Sequence, residues 1–374
     1  MKRNSLSVQI LCFAVLAAIF LATPIFADEL PRFSLAWSEY PSWSTYGVAH
    51  KYGIINGHKG KTGPMEEKWG VDIVLIEADY DPCLTMYGAG QCDAVCITNM
   101  DALNPSLTRK SAAILPTSTS FGADACIVVN TPDVKALRGK KVYGLAKSVS
   151  EYCFVRNLEI LGEKEADHKF TNMDPAAAAL AMQQKQKDYH AIMVWNPFVL
   201  ETLNKRKDAK VLFDSTSIPG EIIDMVVVAQ SSLDKPGGEA FACALIETFY
   251  AINDRMANPK TRDETLVSLG EKFSNLDLAS MKKVVQQTKF YKTPEEALAL
   301  YNNTKFKEEI MPRVVQFCKD HEIIPRMPEV QFDTVILAKE AEFRFDAIYI
   351  EKVMKKKPEA VDKENPAKKT PSKK

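Results

Sequence analysis

Apolar and polar positions alternate along this chain in a repeating order of strand, helix and strand. Phe33, Leu35 and Trp37 sit at every second position, which predicts a strand ending at Ser38. An aromatic and polar loop follows from Glu39 to Trp43, and Ser42 or Ser44 is placed to cap a helix carrying Val48, Ala49 and Tyr52. VDIVLIEA from Val71 to Ala78 reads as a second buried strand, DPCLTMYGAGQ as a helix closed by glycine, and DAVCI as a third strand. ACIVVN from Ala125 to Asn130 is a further strand, and TPDVKALRGKKVYGLA supplies a short helix, a glycine stop and a strand from Lys141 to Leu145. Ser148 with Glu151 forms a capping-box pattern for a helix that Gly162 closes. Asp174-Pro175 opens another helix, and AIMV is the strand after it. The alternation predicts an α/β fold with largely parallel sheets covered by helices.

One device occurs twice. QCDAVCITNMDAL (Gln91 to Leu103) and DYHAIMVWNPFVL (Asp188 to Leu200) each run from an alanine through a short apolar strand to a polar or aromatic residue and an asparagine. In open α/β sheets such strand ends present hydrogen-bonding groups to a ligand. Two copies about a hundred residues apart imply two similar lobes facing one cleft, an architecture that points to solute binding.

Residues 1–27 have the three-part pattern of a signal peptide: Lys2 and Arg3, an apolar run from about Ile10 to Ala22, then Pro24 and Ala27 ahead of Asp28-Glu29. The apolar core is shorter than the roughly 20 residues of a spanning helix, so a mature product beginning near Asp28 and working outside the cytoplasm, or held at the membrane only by its N-terminus, is expected. The remaining length exceeds what one core usually holds, which favours two lobes. Basic and acidic residues balance at 48 each, arguing against a field built for nucleic acid. Seven cysteines follow the signal and lie mostly in apolar runs, so buried thiols are expected. Cys83, Cys92 and Cys96 do not have zinc-ligand spacing, and no metal or other cofactor is expected. The lysine- and proline-rich end from Lys355 to Lys374 is too polar to order itself, and Phe343, Phe345, Ile348 and Val353 before it suggest a helix packed on the body.

On SEYPSW, GQCDA, LRGKKVYGLA and VWNP, the chain from about Phe33 to Pro325 resembles the substrate-binding proteins of ABC importers, in the nitrate, taurine and alkanesulfonate class. TNMDAL, SVSEY, VWNP and FDSTSIPGEIIDMVVV look more narrowly like the subgroup associated with urea carboxylase gene regions, which implies uptake of urea or guanidine. The resemblance implies a type II periplasmic binding protein, a monomer, with two crossover hinges near Val128 to Val134 and Ile218 to Val228, and an inner-membrane permease as partner. Lobe one would comprise residues 33–129 and 225–320, with helices from Glu239 to about Phe317 packed back on it; lobe two would comprise 130–224.

The strand ends then give the candidate ligand residues: Ser38, Tyr40 and Trp43; Thr98, Asn99 and Asp101; Ser120 and Asp124; Ser148 and Ser150; Trp195 and Asn196; Glu221 and Asp224. Ser148 and Ser150 also begin a helix whose free N–H groups can meet a ligand oxygen, though Ser148 has enough to do as a cap. The set holds four acids, two tryptophans and no arginine. A sulfonate or carboxylate pocket normally offers a guanidinium fork, so a neutral or cationic solute is expected, with Asp101, Asp124 or Asp224 accepting N–H bonds and Trp43 or Trp195 covering a face. An alkanesulfonate or taurine binder of the same fold and a sensory protein that presents ligand to a receptor are the alternatives. No HExxH, GxSxG or P-loop occurs, and the five histidines are scattered. The cysteine-rich CCCFC segment of the related pyrimidine-precursor synthase is absent, so catalysis is not expected.

Overall fold

A computed structural model describes residues 29–273, 275–332 and 340–356. The signal-peptide reading and the tail from residue 357 fall outside them. The strands are β1 (Arg32–Trp37), β2 (Asp72–Glu77), β3 (Ala94–Thr98), β4 (Ser111–Ser120), β5 (Asp124–Val129), β6 (Lys141–Gly144), β7 (Lys169–Asn172), β8 (Ala191–Trp195), β9 (Ala209–Asp214), β10 (Ile223–Ala229), β11 (Thr288–Phe290), β12 (Val330–Gln331) and β13 (Phe343–Phe345). They form two sheets, ordered β12-β13-β4-β10-β3-β1-β2, with β11 also on β4, and β7-β6-β8-β5-β9.

The two sheets share one plan. In each, the first strand lies between the second and third (β2-β1-β3 and β7-β6-β8) in parallel register, and an antiparallel strand, β10 or β5, separates the third from the fourth. The repeated sequence device falls on β3 and β8, which occupy the same place in the two sheets. The α/β, two-sheet architecture expected from the sequence is therefore the one observed. The sheets are more mixed than the helix alternation suggested, because β5 and β10 run against their neighbours.

The connections between sheets lie earlier than expected. β4 ends at Ser120 in the first sheet and β5 starts at Asp124 in the second, so the first passage is residues 121–123 and not 128–134. The return spans 215–222, and Ile223 to Val228, read as part of a hinge, is already a buried strand of the first sheet. The reason is visible in β4. SAAILPTSTS neither alternates nor avoids proline, yet Ser111 to Pro116 are all buried, and Pro116 is accommodated where the register with β10 slips between Asp224 and Met225. β4 carries no periodic signal, so the sequence pattern puts the first passage after β5, one strand too late.

Three further expectations shift. The helix Ser44–Lys51 has Trp43 at its cap position and no side-chain cap; instead the Thr45 hydroxyl donates to the Ser42 carbonyl at 2.6 Å. The Ser148 hydroxyl accepts from Ser150 N at 3.2 Å, while the Glu151 carboxylate reaches back to Lys147 N at 2.5 Å, one residue short of a capping box. Phe343 and Phe345 belong to β13, paired with β4, and the helix starts only at Ile348. The first sheet thus gathers chain well beyond residue 320, and the helix Ile348–Lys356 packs on the long helix Gly238–Ala257. Lys355 and Lys356, assigned to the disordered tail, complete that helix. All seven described cysteines are buried and unpaired.

Candidate functional site

A cavity of about 270 Å³ opens where the carboxyl ends of β1, β3 and β8 meet the start of β5 and β10. Register sets its floor. β10 lies between β3 and β4, so Asp224 is opposite Thr98 on one side and Ser118 on the other. In the second sheet β5 lies against β8, and Asp124 is opposite Trp195. Each antiparallel crossing strand therefore brings a carboxylate to the end of a third strand, and the two carboxylates come from different sheets.

Both are buried, Asp224 at 1 % exposure and Asp124 at 3 %. Asp224 accepts from the Ser118 hydroxyl at 2.5 Å, and the Ser118 oxygen lies 2.8 Å from the Ser42 hydroxyl. Burial pushes the Asp124 carboxyl up to about 7, against a stabilising bond from Ser120. Asp224 is raised well above the usual carboxylate range, chiefly by burial and then by the charge of Asp124. Neither makes an ion pair among the described residues.

The walls are aromatic. Trp43 stacks on Tyr80 with ring centroids 5.4 Å apart and planes 16° from parallel, Tyr40 tilts against Trp43 at 4.8 Å, and Trp195 meets Tyr80 edge-on at 6.2 Å. Asp101 holds this wall from behind: its carboxylate accepts from the Tyr80 hydroxyl at 2.7 Å and the Thr98 hydroxyl at 2.8 Å, and burial raises it to about 6. The Tyr40 hydroxyl and the Trp43 indole N–H are buried with no hydrogen-bond partner. Such groups cost on the order of 1–3 kcal/mol each when left unsatisfied; a bound donor can relieve the cost at the Tyr40 hydroxyl, and the Trp43 N–H calls for an acceptor.

Of the sequence candidates, Ser38, Tyr40, Trp43, Thr98, Asp124, Trp195 and Asp224 line the cavity. Seven others do not. Asp101 positions Tyr80. Asn99 ties the return connection, donating to the Glu221 carbonyl at 3.0 Å and accepting from Ile223 N at 3.0 Å. Ser120 meets the Ser215 hydroxyl at 2.7 Å. Ser148 caps its own helix and donates to the Leu145 carbonyl at 2.8 Å, and Ser150 is buried inside that helix. Asn196 donates to Gln287 at 2.8 Å. Glu221 is consumed by Tyr152, Arg156 and Arg313, the two arginines at 3.0 Å.

The remaining lining residues include Glu39, Asp79, Tyr80, Asp81, Leu145, Val149, Asp174, Phe198 and Ile222. Asp81 and Asp174 were legible only as helix starts, in DPCLT and DPAAA. What brings them to the cleft is that both helices follow strands whose carboxyl ends face it. Six lining residues are acids, and none is lysine, arginine or histidine. Among the described residues no three histidine, cysteine or acidic side chains are placed to hold a metal ion.

No model of a known protein family matches the sequence, and no curated protein does. Solved structures do. The periplasmic aliphatic sulphonate binding protein SsuA of Escherichia coli superposes with a TM-score of 0.61 at 17 % identity, over 79 % of this chain and 89 % of that one. The alkanesulfonate-binding protein SsuA of Xanthomonas axonopodis pv. citri, bound to MOPS, gives 0.60 at 15 % identity over 80 % and 96 %. A Candida albicans protein described as having the generic periplasmic binding protein fold gives 0.58 at 12 % identity over 83 % and 94 %. At these identities the likeness establishes the fold: this chain has the periplasmic binding protein fold.

Proposed function

We propose that the chain is the extracytoplasmic solute-binding component of an ABC-type importer, and that it captures a small cationic nitrogenous solute of the guanidinium or ammonium kind between its lobes. The observation that carries this reading is the cavity lining, with six acids, five aromatic side chains and no basic side chain. A guanidinium or ammonium group donates only, and Asp124, Asp224 and the Ser38 and Thr98 hydroxyls can accept. A cation over an aromatic face gains about 0.5 to 2 kcal/mol, more as water is excluded. Urea fits the same acceptors with less gain because it brings no charge. The fold and the signal-peptide pattern support delivery to an inner-membrane permease from the periplasm; among the described residues no helix is long and apolar enough to cross a membrane.

A sulfonate binder is the second reading, favoured by the names of the structural relatives. A sulfonate would have to displace or protonate the buried carboxylates and would find no guanidinium fork. Thermal unfolding in millimolar guanidinium, alkylammonium, urea, taurine and an alkanesulfonate separates the two. Stabilisation by the cations is expected, of about 2.7 kcal/mol at one hundred times Kd. Stabilisation by taurine or alkanesulfonate alone would overturn the cationic reading.

A further inference from the structure

The acids of the cleft are not gathered at one point. Asp124 and Asp224 lie at the floor, 3 % and 1 % exposed, one from each sheet. Asp81 and Asp174 lie at the mouth, both exposed, and they too come one from each side: Asp81 in the helix Tyr80–Gly88 after β2, Asp174 at the cap of the helix Pro175–Gln183 after β7. They are close enough that the Asp174 charge adds to burial in raising the Asp81 carboxyl. None of the four makes an ion pair among the described residues. The cleft therefore brings carboxyl groups from its two sides together at two levels, and ionising both members of a pair costs free energy until positive charge enters.

Between the two levels the surface changes character. Trp43, Tyr80, Trp195 and Phe198, with Leu145 and Val149, supply an aromatic and aliphatic wall that suits a methylene chain. A metal ion fits this pattern poorly, because the acids do not converge. The buried Tyr40 hydroxyl is an independent sign of a missing partner at the floor: it lines the cavity at 5 % exposure, lies beside Asp124, Asp224 and Thr288, and meets none of them in full hydrogen-bond geometry. A hydroxyl in that place can accept from a cationic N–H.

Resting on the cationic reading above, we infer that the cleft is built for an organic dication: one cationic end is held between Asp124 and Asp224 beside Tyr40, a short apolar spacer lies along Trp43, Tyr80 and Trp195, and the second cationic end sits between Asp81 and Asp174. The floor selects for positive charge, and the mouth distinguishes two charges from one. The ligand class is a linear diamine or an amine bearing a guanidinium group.

Calorimetric titration of the mature chain with matched pairs tests this: butylammonium against 1,4-diaminobutane, and butylguanidinium against 4-guanidinobutylamine, together with diamines of increasing spacer length. The dication of each pair is expected to bind about fivefold to tenfold tighter, the scale of one or two partly exposed ion pairs, and tightest at one spacer length. In the Asp81→Asn, Asp174→Asn double variant the ratio within each pair should fall towards one. Asparagine is itself a good helix cap, so the helix at residue 174 is retained. Equal affinity within the pairs, or a dication advantage that survives the double variant, overturns the inference and leaves the cationic reading standing. Failure of every amine and guanidinium compound to bind overturns both.

Discussion

Asp124→Asn should make the empty protein more stable and the binder worse, in the same pH range. In the folded chain the Asp124 carboxyl is held near 7 by burial, against a reference of 3.8. Its folded value lies above its unfolded value, so between the two the unfolded chain has released a proton that the folded one retains. Stability from this group is therefore present below pH 4 and is lost as pH rises to about 7. At about 1.4 kcal/mol per pH unit the full loss is about 4 kcal/mol, with less than half developed at pH 5. Asparagine keeps the shape and removes the ionisation, so at pH 8 the unliganded variant should gain up to about 4 kcal/mol, and clearly less at pH 5. The same change takes one negative charge from a buried site, and cation affinity at pH 8 should drop by about 2 to 5 kcal/mol, thirtyfold to several thousandfold. Calorimetric unfolding at pH 5 and pH 8, with titration of guanidinium and alkylammonium salts at pH 8, measures both. A variant no more stable at pH 8 than the parent, with unchanged cation affinity, would refute the reasoning that a desolvated, unpaired carboxylate is maintained here for a ligand.

Two other substitutions probe the frame that holds the cleft. Gly144→Ala places a Cβ 2.5 Å from the Met193 carbonyl oxygen and 2.9 Å from the Phe170 ring, so β6 can no longer lie at its present distance from β8. A loss of about 1 to 3 kcal/mol in thermal stability is expected, and unchanged stability would mean that the second sheet yields freely. Glu221→Gln removes the carboxylate that joins Tyr152 and Arg156 of one helix to Arg313 of another across the return connection. Because Arg313 keeps 38 % exposure, a loss of about 2 to 4 kcal/mol is expected, below the range for a fully buried pair. Small-angle scattering of the unliganded variant should also show a more open particle, and an unaltered profile would argue against a latch at Glu221.

The doubled apolar run with its terminal asparagine was enough to place β3 and β8 as counterparts, because a short buried strand ending in polar groups leaves a local pattern that needs no partner to be read. The same runs pointed to Thr98 and Trp195, and the aromatic loop after β1 pointed to Ser38, Tyr40 and Trp43. Asn99, Asn196 and Glu221 share that local signal yet serve as ties between connections. Their hydrogen bonds go to Ile223, Gln287 and Arg313, residues about 90 or more positions away, and no window of sequence carries that information.

Local order along this chain thus determined the α/β class, the paired lobes and the character of the candidate site: acidic, aromatic and without arginine. Tertiary structure alone decided which acids matter and how they are grouped. β4 has no periodic pattern and acquires its place only by pairing with β10, and that pairing moves the hinge to residues 121–123 and sets Asp224 beside Ser118. Asp81 and Asp174, ordinary residues at helix starts in sequence, face one cleft only because two sheets of the same topology are brought carboxyl edge to carboxyl edge. Side-chain periodicity records which face of an element is buried; it holds no record of which distant element buries it.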